Sequence, residues 1–174
     1  MSNISFKTIS AEELSRIHEL HFNNVFSNRT TAPGFFIVES EQNKINERRR
    51  KYAPWELLVG IYDGETPIGW HVGYATDPET FYMKNSAVLS EYRNRGIYSK
   101  LLEFVLTEIQ REGFQVVTSI HHGNNPAVLI PKLKRGFIIS GTHFHEKFRF
   151  MIELKYFMDS ARKKAYGKSM GLEL

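Results

Sequence analysis

Apolar and polar residues alternate from Ile4 to Ile9, the two-residue period of a half-buried strand. Ser10 and Glu13 then frame a capping box, in which the Ser10 hydroxyl accepts from a free backbone N–H while Glu13 reaches back. Leu14, Ile17 and Leu20 follow at helical spacing and predict a first helix over about 11–25. Ala32-Pro33-Gly34 breaks the chain, and a second helix is expected around 40–51. From Trp55 the pattern turns to strands: Glu56–Tyr62 and Ile68–Ala75 flank Asp63-Gly64-Glu65-Thr66-Pro67, a hairpin signal, and another strand runs from Phe81 to Leu89.

Leu102, Val105, Leu106 and Ile109 sit at i, i+3, i+4 and i+7, the core stripe of a helix that Gly113 should stop. Phe114–Ile120 reads as a buried strand. Asn125-Pro126 opens a short helix, an Asn cap with proline at the first helical position, and Pro131 inside it predicts a kink or broken turn. Phe137–Ile139 and Phe148–Phe157 close the pattern as strands, with Phe148, Phe150, Ile152, Leu154 and Tyr156 on one face. Residues 159–174 read as a basic, mobile tail. The order predicts one α/β domain with a mixed sheet.

Composition narrows the chemistry. The 174 residues fit a single domain of ordinary hydrophobic (41%) and charged (24%) content, which argues against a disordered or fibrous chain. The absence of cysteine removes disulfides, thiolate zinc sites and a Cys nucleophile. The seven histidines include the pairs His143 and His145, His121 and His122, and His18 and His21, but no H-E-x-x-H pattern, so a metal site is not expected. The His18 and His21 pair reads as a solvated face. No apolar run approaches the roughly 18 residues of a membrane span, and no secretory signal is visible, so a cytoplasmic location is expected and the acceptor pattern Asn28-Arg29-Thr30 is not expected to be glycosylated. The net charge of +4 is modest; Arg48-Arg49-Arg50-Lys51 reads as a solvated helix face, and nucleic acid is not the expected partner. Gly167-Lys168-Ser169-Met170-Gly171 spells a nucleophile elbow, but no His follows it.

The informative stretch is Arg93–Ser99. A helix start presents unpaired backbone N–H groups and a favourable dipole to an anion, Gly96 admits close backbone approach, and Arg93 and Arg95 add positive charge. A phosphate or pyrophosphate site is implied, although neither the P-loop nor the G-x-G-x-x-G pattern is present.

With its strand Ala87-Val88-Leu89 followed by Arg93-Asn94-Arg95-Gly96-Ile97-Tyr98 and a helix, and with Asn125-Pro126 through Gly136-Phe137 as a second block, the chain resembles the GNAT superfamily of acyl-coenzyme A-dependent N-acyltransferases. The resemblance covers about residues 55–157 and is most specific over 86–137. It implies a GNAT-like, twisted central sheet of about six or seven strands flanked by about four helices, with acetyl-coenzyme A as cofactor. It also implies that the backbone from Arg93 through Asn94, Arg95, Gly96, Ile97 and Tyr98 to Ser99 holds the pyrophosphate. Ala87, Val88 and Leu89 would pair with the pantetheine arm, an N–H near Val88 would polarise the thioester carbonyl, and Asn125 or Asn124 would contact the arm from the other side.

Two departures stand out: Tyr98 replaces a small residue, and Pro131-Lys132 occupies the place of a tyrosine that protonates the leaving thiolate in many members. The expected reaction is transfer of an acetyl group to a primary amine of a small molecule or peptide, by direct attack. An alkylammonium must first lose a proton, and His122, or Ser119 through water, are the candidate bases. A coenzyme A-binding sensor or scaffold without catalysis is the alternative. The identity of the acceptor and the oligomeric state are open at this level.

Overall fold

The computed structural model describes residues 3–26 and 38–171. The Asn28 acceptor pattern and the Ala32-Pro33-Gly34 break lie outside them. Seven strands form one sheet: β1 (Ile4–Thr8), β2 (Glu56–Asp63), β3 (Thr66–Ala75), β4 (Thr80–Val88), β5 (Val116–His122), β6 (Ile138–His145) and β7 (Arg149–Phe157). Their order is β1-β2-β3-β4-β5-β7-β6, antiparallel throughout except for the parallel pair β4–β5. Five α-helices accompany them: α1 (Ala11–Val25), α2 (Glu39–Lys51), α3 (Ile97–Arg111), α4 (Pro126–Lys134) and α5 (Ser160–Ser169).

Both faces of the sheet are covered, as a parallel crossover requires. On one face α3 buries Ile97, Leu101, Leu102, Val105, Leu106 and Ile109 against Val59, Ile61, Phe81, Val117 and Leu154; each such side chain contributes about 1.5–3 kcal/mol. On the other, Ile17 of α1 packs on Trp70, Tyr62 and Ala87. Ser10 caps α1 by accepting from the Glu13 N–H at 3.1 Å, but the Glu13 carboxylate takes the Tyr62 hydroxyl instead of closing the capping box.

Several expectations need correcting. Leu20 is exposed, and the inner stripe of α1 runs through Leu14, Ile17, Phe22 and Val25. His18 is not on a solvated face: its ring lies 4.9 Å from that of Trp70 and 5.1 Å from that of Phe22. Pro131 does not break α4, because a nine-residue helix loses only one internal bond to it and Arg135 N–H still reaches the Pro131 carbonyl at 3.0 Å. Phe148 lies in the turn before β7, with its ring beside His145.

The basic segment after Asp159 is a helix. Asp159 caps α5 by accepting from Ala161 N–H at 2.6 Å, Arg162 forks onto Glu79 at 2.9 and 3.0 Å, and Tyr166 packs on Phe157. Ser169 of the elbow-like pattern ends that helix, donating to the Tyr166 carbonyl at 2.8 Å.

Candidate active site

The segment between β4 and α3 is a rigid turn. One 3-10 turn (Ser90–Tyr92) leads into Asn94 at φ 62° and Gly96 at φ 72°, both left-handed. Arg93 Nε donates to the Val88 carbonyl at 3.0 Å, and Arg95 donates to the Glu91 carbonyl at 2.8 Å with its guanidinium over the Tyr92 ring. The first bond of α3 runs from Lys100 N–H to the Gly96 carbonyl, and no side chain caps the helix. The N–H groups of Ile97, Tyr98 and Ser99 therefore carry no intrahelical acceptor, which makes this terminus electrically positive.

A Cβ at Gly96 would meet no atom of the described residues within 4 Å, so within the chain it is the backbone angle that asks for glycine. Gly96→Ala should cost about 1–2 kcal/mol, the penalty of a left-handed L-residue, and lower the melting temperature without creating a clash; an unchanged melting temperature would show that the turn tolerates a side chain.

Beside this turn the sheet opens. β4 and β5 pair only through Thr80–Val116, Phe81–Val117 and Tyr82–Thr118. Beyond that rung β4 continues to Val88 along β3, and β5 continues to His122 along β7. The Val88 carbonyl is turned to Arg93, away from β3, so the Val88 N–H on the same strand edge faces the gap.

An open cleft of about 730 Å³ lies over the fork. Of the residues expected to bind cofactor, Ala87 and Val88 line it from β4, Arg93, Asn94 and Gly96 from the turn, Ile97, Tyr98 and Ser99 from α3, and Asn125 from the far side. Leu89, Arg95 and Asn124 are not among its lining. Asn125 precedes α4, but its side chain makes no capping bond. The Tyr98 side chain packs against the main core, and burial raises its hydroxyl's pKa. Val25 and Phe26 close the cleft on the α1 side.

The two candidate bases are separated. His122 is exposed at the end of β5, its carbonyl accepting from Asn125 N–H at 3.1 Å and its ring edge-on to Phe148. Ser119 is wholly buried, 2.7 Å from the Lys132 ammonium. Lys132 itself, which the sequence marks only as standing in the place of a tyrosine, is the feature whose surroundings sequence reasoning missed. It is 1% exposed and meets Ser119 Oγ, Met83 Sδ at 3.5 Å and the face of Phe137. Burial pulls its pKa down to about 7. Nearby, His71 is fully buried with Nδ1 2.8 Å from Ser86 Oγ, and burial and then the Lys132 charge lower it to about 3. His121 is lowered to about 3 by burial, Lys132 and His122, in that order. The signal available in the sequence was the offset of Lys132 from Asn125, together with the apolar residues on either side of it.

Glu153 accepts from Ser140 at 2.6 Å and pairs with His143 at 2.8 Å. Its carboxyl stays below the usual range because those bonds, with the Lys155 and His143 charges, outweigh its partial burial. His145 is turned into the hairpin, its Nδ1 accepting from Lys147 N–H. Among the described residues no three His, Asp or Glu side chains group as metal ligands, and no helix is long and apolar enough to cross a membrane.

The arrangement matches known proteins in fold and family. The model of the Acetyltransferase (GNAT) family matches residues 16–137. Among solved structures, an N-acetyltransferase from Staphylococcus aureus Mu50 is 18% identical, with a TM-score of 0.65 over 91% of this chain and 100% of that one. The ribosomal-protein-S18-alanine N-acetyltransferase from Escherichia coli is 12% identical, with a TM-score of 0.65 over 90% and 94%. A GNAT family acetyltransferase from Elizabethkingia anophelis with acetyl-CoA bound is 18% identical, with a TM-score of 0.58 over 91% and 100%. No curated protein matches the chain. An uncapped helix start beside a forked parallel pair, and a family match across most of the chain, lead to one conclusion: the chain belongs to the GNAT family of acetyltransferases, with acetyl-coenzyme A as its cofactor.

Proposed function

We propose that the chain transfers the acetyl group to a primary amine by direct attack within a ternary complex. The observation that carries this reading is the meeting, in one cleft, of an uncapped helix N-terminus and the open edge of β4. These features fit the cofactor: three free N–H groups and Arg93 suit a pyrophosphate, and the unpaired edge of β4 suits an amide-bearing arm added as a strand. Ala87 and Val88 would hold the arm on one side and Asn125, whose side chain is not spent on α4, on the other. Acetyl-coenzyme A supplies a thioester whose carbonyl carbon accepts an amine.

The chain's own contribution is placement and proton handling. The Val88 N–H is a donor on the gap edge, where a developing oxyanion would be stabilised. His122, solvent-facing and tied through its carbonyl to Asn125, takes the proton of the incoming ammonium through water. The chain has no cysteine to carry an acyl intermediate, which favours direct attack. The acceptor is a small-molecule or peptide amine, entering past Val25 and Phe26 on one side and His122 on the other.

Saturation with acetyl-coenzyme A at 100 times its dissociation constant should stabilise the fold by about 2.7 kcal/mol, raising the melting temperature by roughly 5–11 °C. An amine and peptide panel followed by mass spectrometry should then find an acetylated product, formed at least tenfold more slowly by His122→Ala. A thermal shift without product from any amine would overturn the transfer reading, and no shift would overturn the cleft assignment.

A further inference from the structure

We propose that Lys132 is the counter-charge for the sulfur end of coenzyme A, an ammonium set at the point of the fork to stabilise and protonate the departing thiolate. The proposal rests on the reading that the cofactor lies in the cleft over the fork.

Position is the first argument. The last rung joining β4 to β5 is Tyr82–Thr118. Met83 and Ser119 are the next residues on each strand, and Lys132 Nζ touches both. The charge thus sits where the strands part, buried behind the wall of the cleft that its neighbours on α4, Ile130 and Pro131, form.

The second argument is what surrounds it. Ser119 Oγ, Met83 Sδ and the Phe137 ring are all neutral, and no carboxylate pairs with Lys132 among the described residues. The other titratable groups close enough to feel its charge are His71 from β3, held by Ser86 of β4, and His121 from β5. Each of those rings keeps a buried Nε2 without a hydrogen-bond partner. A lysine kept for packing alone would be better replaced by methionine, because a buried charge needs a partner. Every described neighbour of Lys132 is neutral, and the partner assigned to it here is an anion from outside the chain.

In the step this assigns, the amine nitrogen forms a bond to the acetyl carbon and the carbon–sulfur bond breaks, its electron pair leaving on sulfur. The Lys132 ammonium gives one proton to that sulfur and becomes a neutral amine. The proton shed by the acceptor nitrogen, passed to solvent, restores the ammonium. Burial places Lys132 near neutrality, where both forms are accessible.

The chain has no cysteine, so the S–H stretch of bound coenzyme A is the only one in the complex. Its loss with rising pH reports the thiol's ionisation in the holoprotein. In the native chain the midpoint should fall at least about one pH unit below that of free coenzyme A read in the same way, a tenfold enrichment of thiolate. In Lys132→Met it should return to within about 0.3 of the free value, while acetyl-coenzyme A, which has no thiol, binds within about threefold of native affinity. Equal midpoints in both proteins would overturn the proposal. Should Lys132→Met fail to fold, the native complex decides alone, since a bound thiol that ionises at or above the free value overturns it equally. The underlying cleft reading is tested apart from this: if Arg93→Glu binds coenzyme A as tightly as the native chain does, the cofactor lies elsewhere.

Discussion

Lys132→Met should make the protein more stable, by about 2–4 kcal/mol at pH 7, raising the melting temperature by roughly 4–16 °C. The native lysine falls from an ordinary value of 10.5 to about 7 because burial disfavours its charge. Between those values the unfolded chain holds a proton that the folded chain has released. Folding is therefore penalised, fully below about pH 7, and the penalty fades by about 1.4 kcal/mol per pH unit as pH rises toward 10.5. The stability gap between variant and native chain should then shrink by about 3 kcal/mol between pH 7 and 9.5. Tyr62, whose hydroxyl burial and Glu13 hold up at about 12, is common to both proteins and cancels in the comparison. On the acid side His71 and His121 add a second slope, since both stay neutral in the fold down to about pH 3 while the unfolded chain takes up protons below 6.5. Removing the Lys132 charge should soften that slope, because Lys132 helps depress both rings. Denaturant melts of the two proteins across pH 4–9.5 are the measurement; a gap that does not change with pH would mean that Lys132 keeps its proton in the fold as it does in the unfolded chain, so that burial does not lower it.

The second large effect is on cofactor affinity. Arg93→Glu should weaken acetyl-coenzyme A binding by roughly 100-fold or more, about 2.7 kcal/mol, as read by titration calorimetry. Arg93 lines the cleft and secures the Val88 carbonyl, so the substitution both reverses a charge in the cleft proposed for the phosphates and frees the end of β4. Arg95→Glu should cost much less. Its guanidinium is spent on the Glu91 carbonyl and the Tyr92 ring, and it does not line the cleft. Equal losses at the two arginines would mean that net charge, rather than the geometry of the turn, governs binding.

Why Arg93 could be singled out from the sequence while Lys132 could not is a matter of range. The turn at Arg93–Ser99 is built from local rules: glycine at a left-handed angle, asparagine tolerating one, and a helix beginning directly after. The stripe of α3 and the span of α1 are equally local, and both stand where periodicity puts them. Phe137 apart, the surroundings of Lys132 come instead from β3, β4 and β5, which only the folded sheet brings to it. Nothing within a turn of Lys132 foretells that its neighbours will be two histidines, a serine and a thioether. Tertiary packing also decides the fate of His18, which looks solvated until Trp70 arrives from β3. In the same way the tail from Asp159 looks loose until Glu79, on the approach to β4, offers Arg162 a carboxylate.

The fork has a mechanical meaning as well. Because β4 and β5 touch only near Thr80, Phe81 and Tyr82, the sheet is two plates joined along a short seam, β1–β4 on one side and β5–β7 on the other. Each plate is laced internally along the length of its strands, so a small rotation about the seam costs few backbone bonds and widens or narrows the gap as scissor blades do. Whatever lies in the gap would act as a wedge that fixes the angle between the blades, with α3, packed on both plates through one core cluster, resisting the turn.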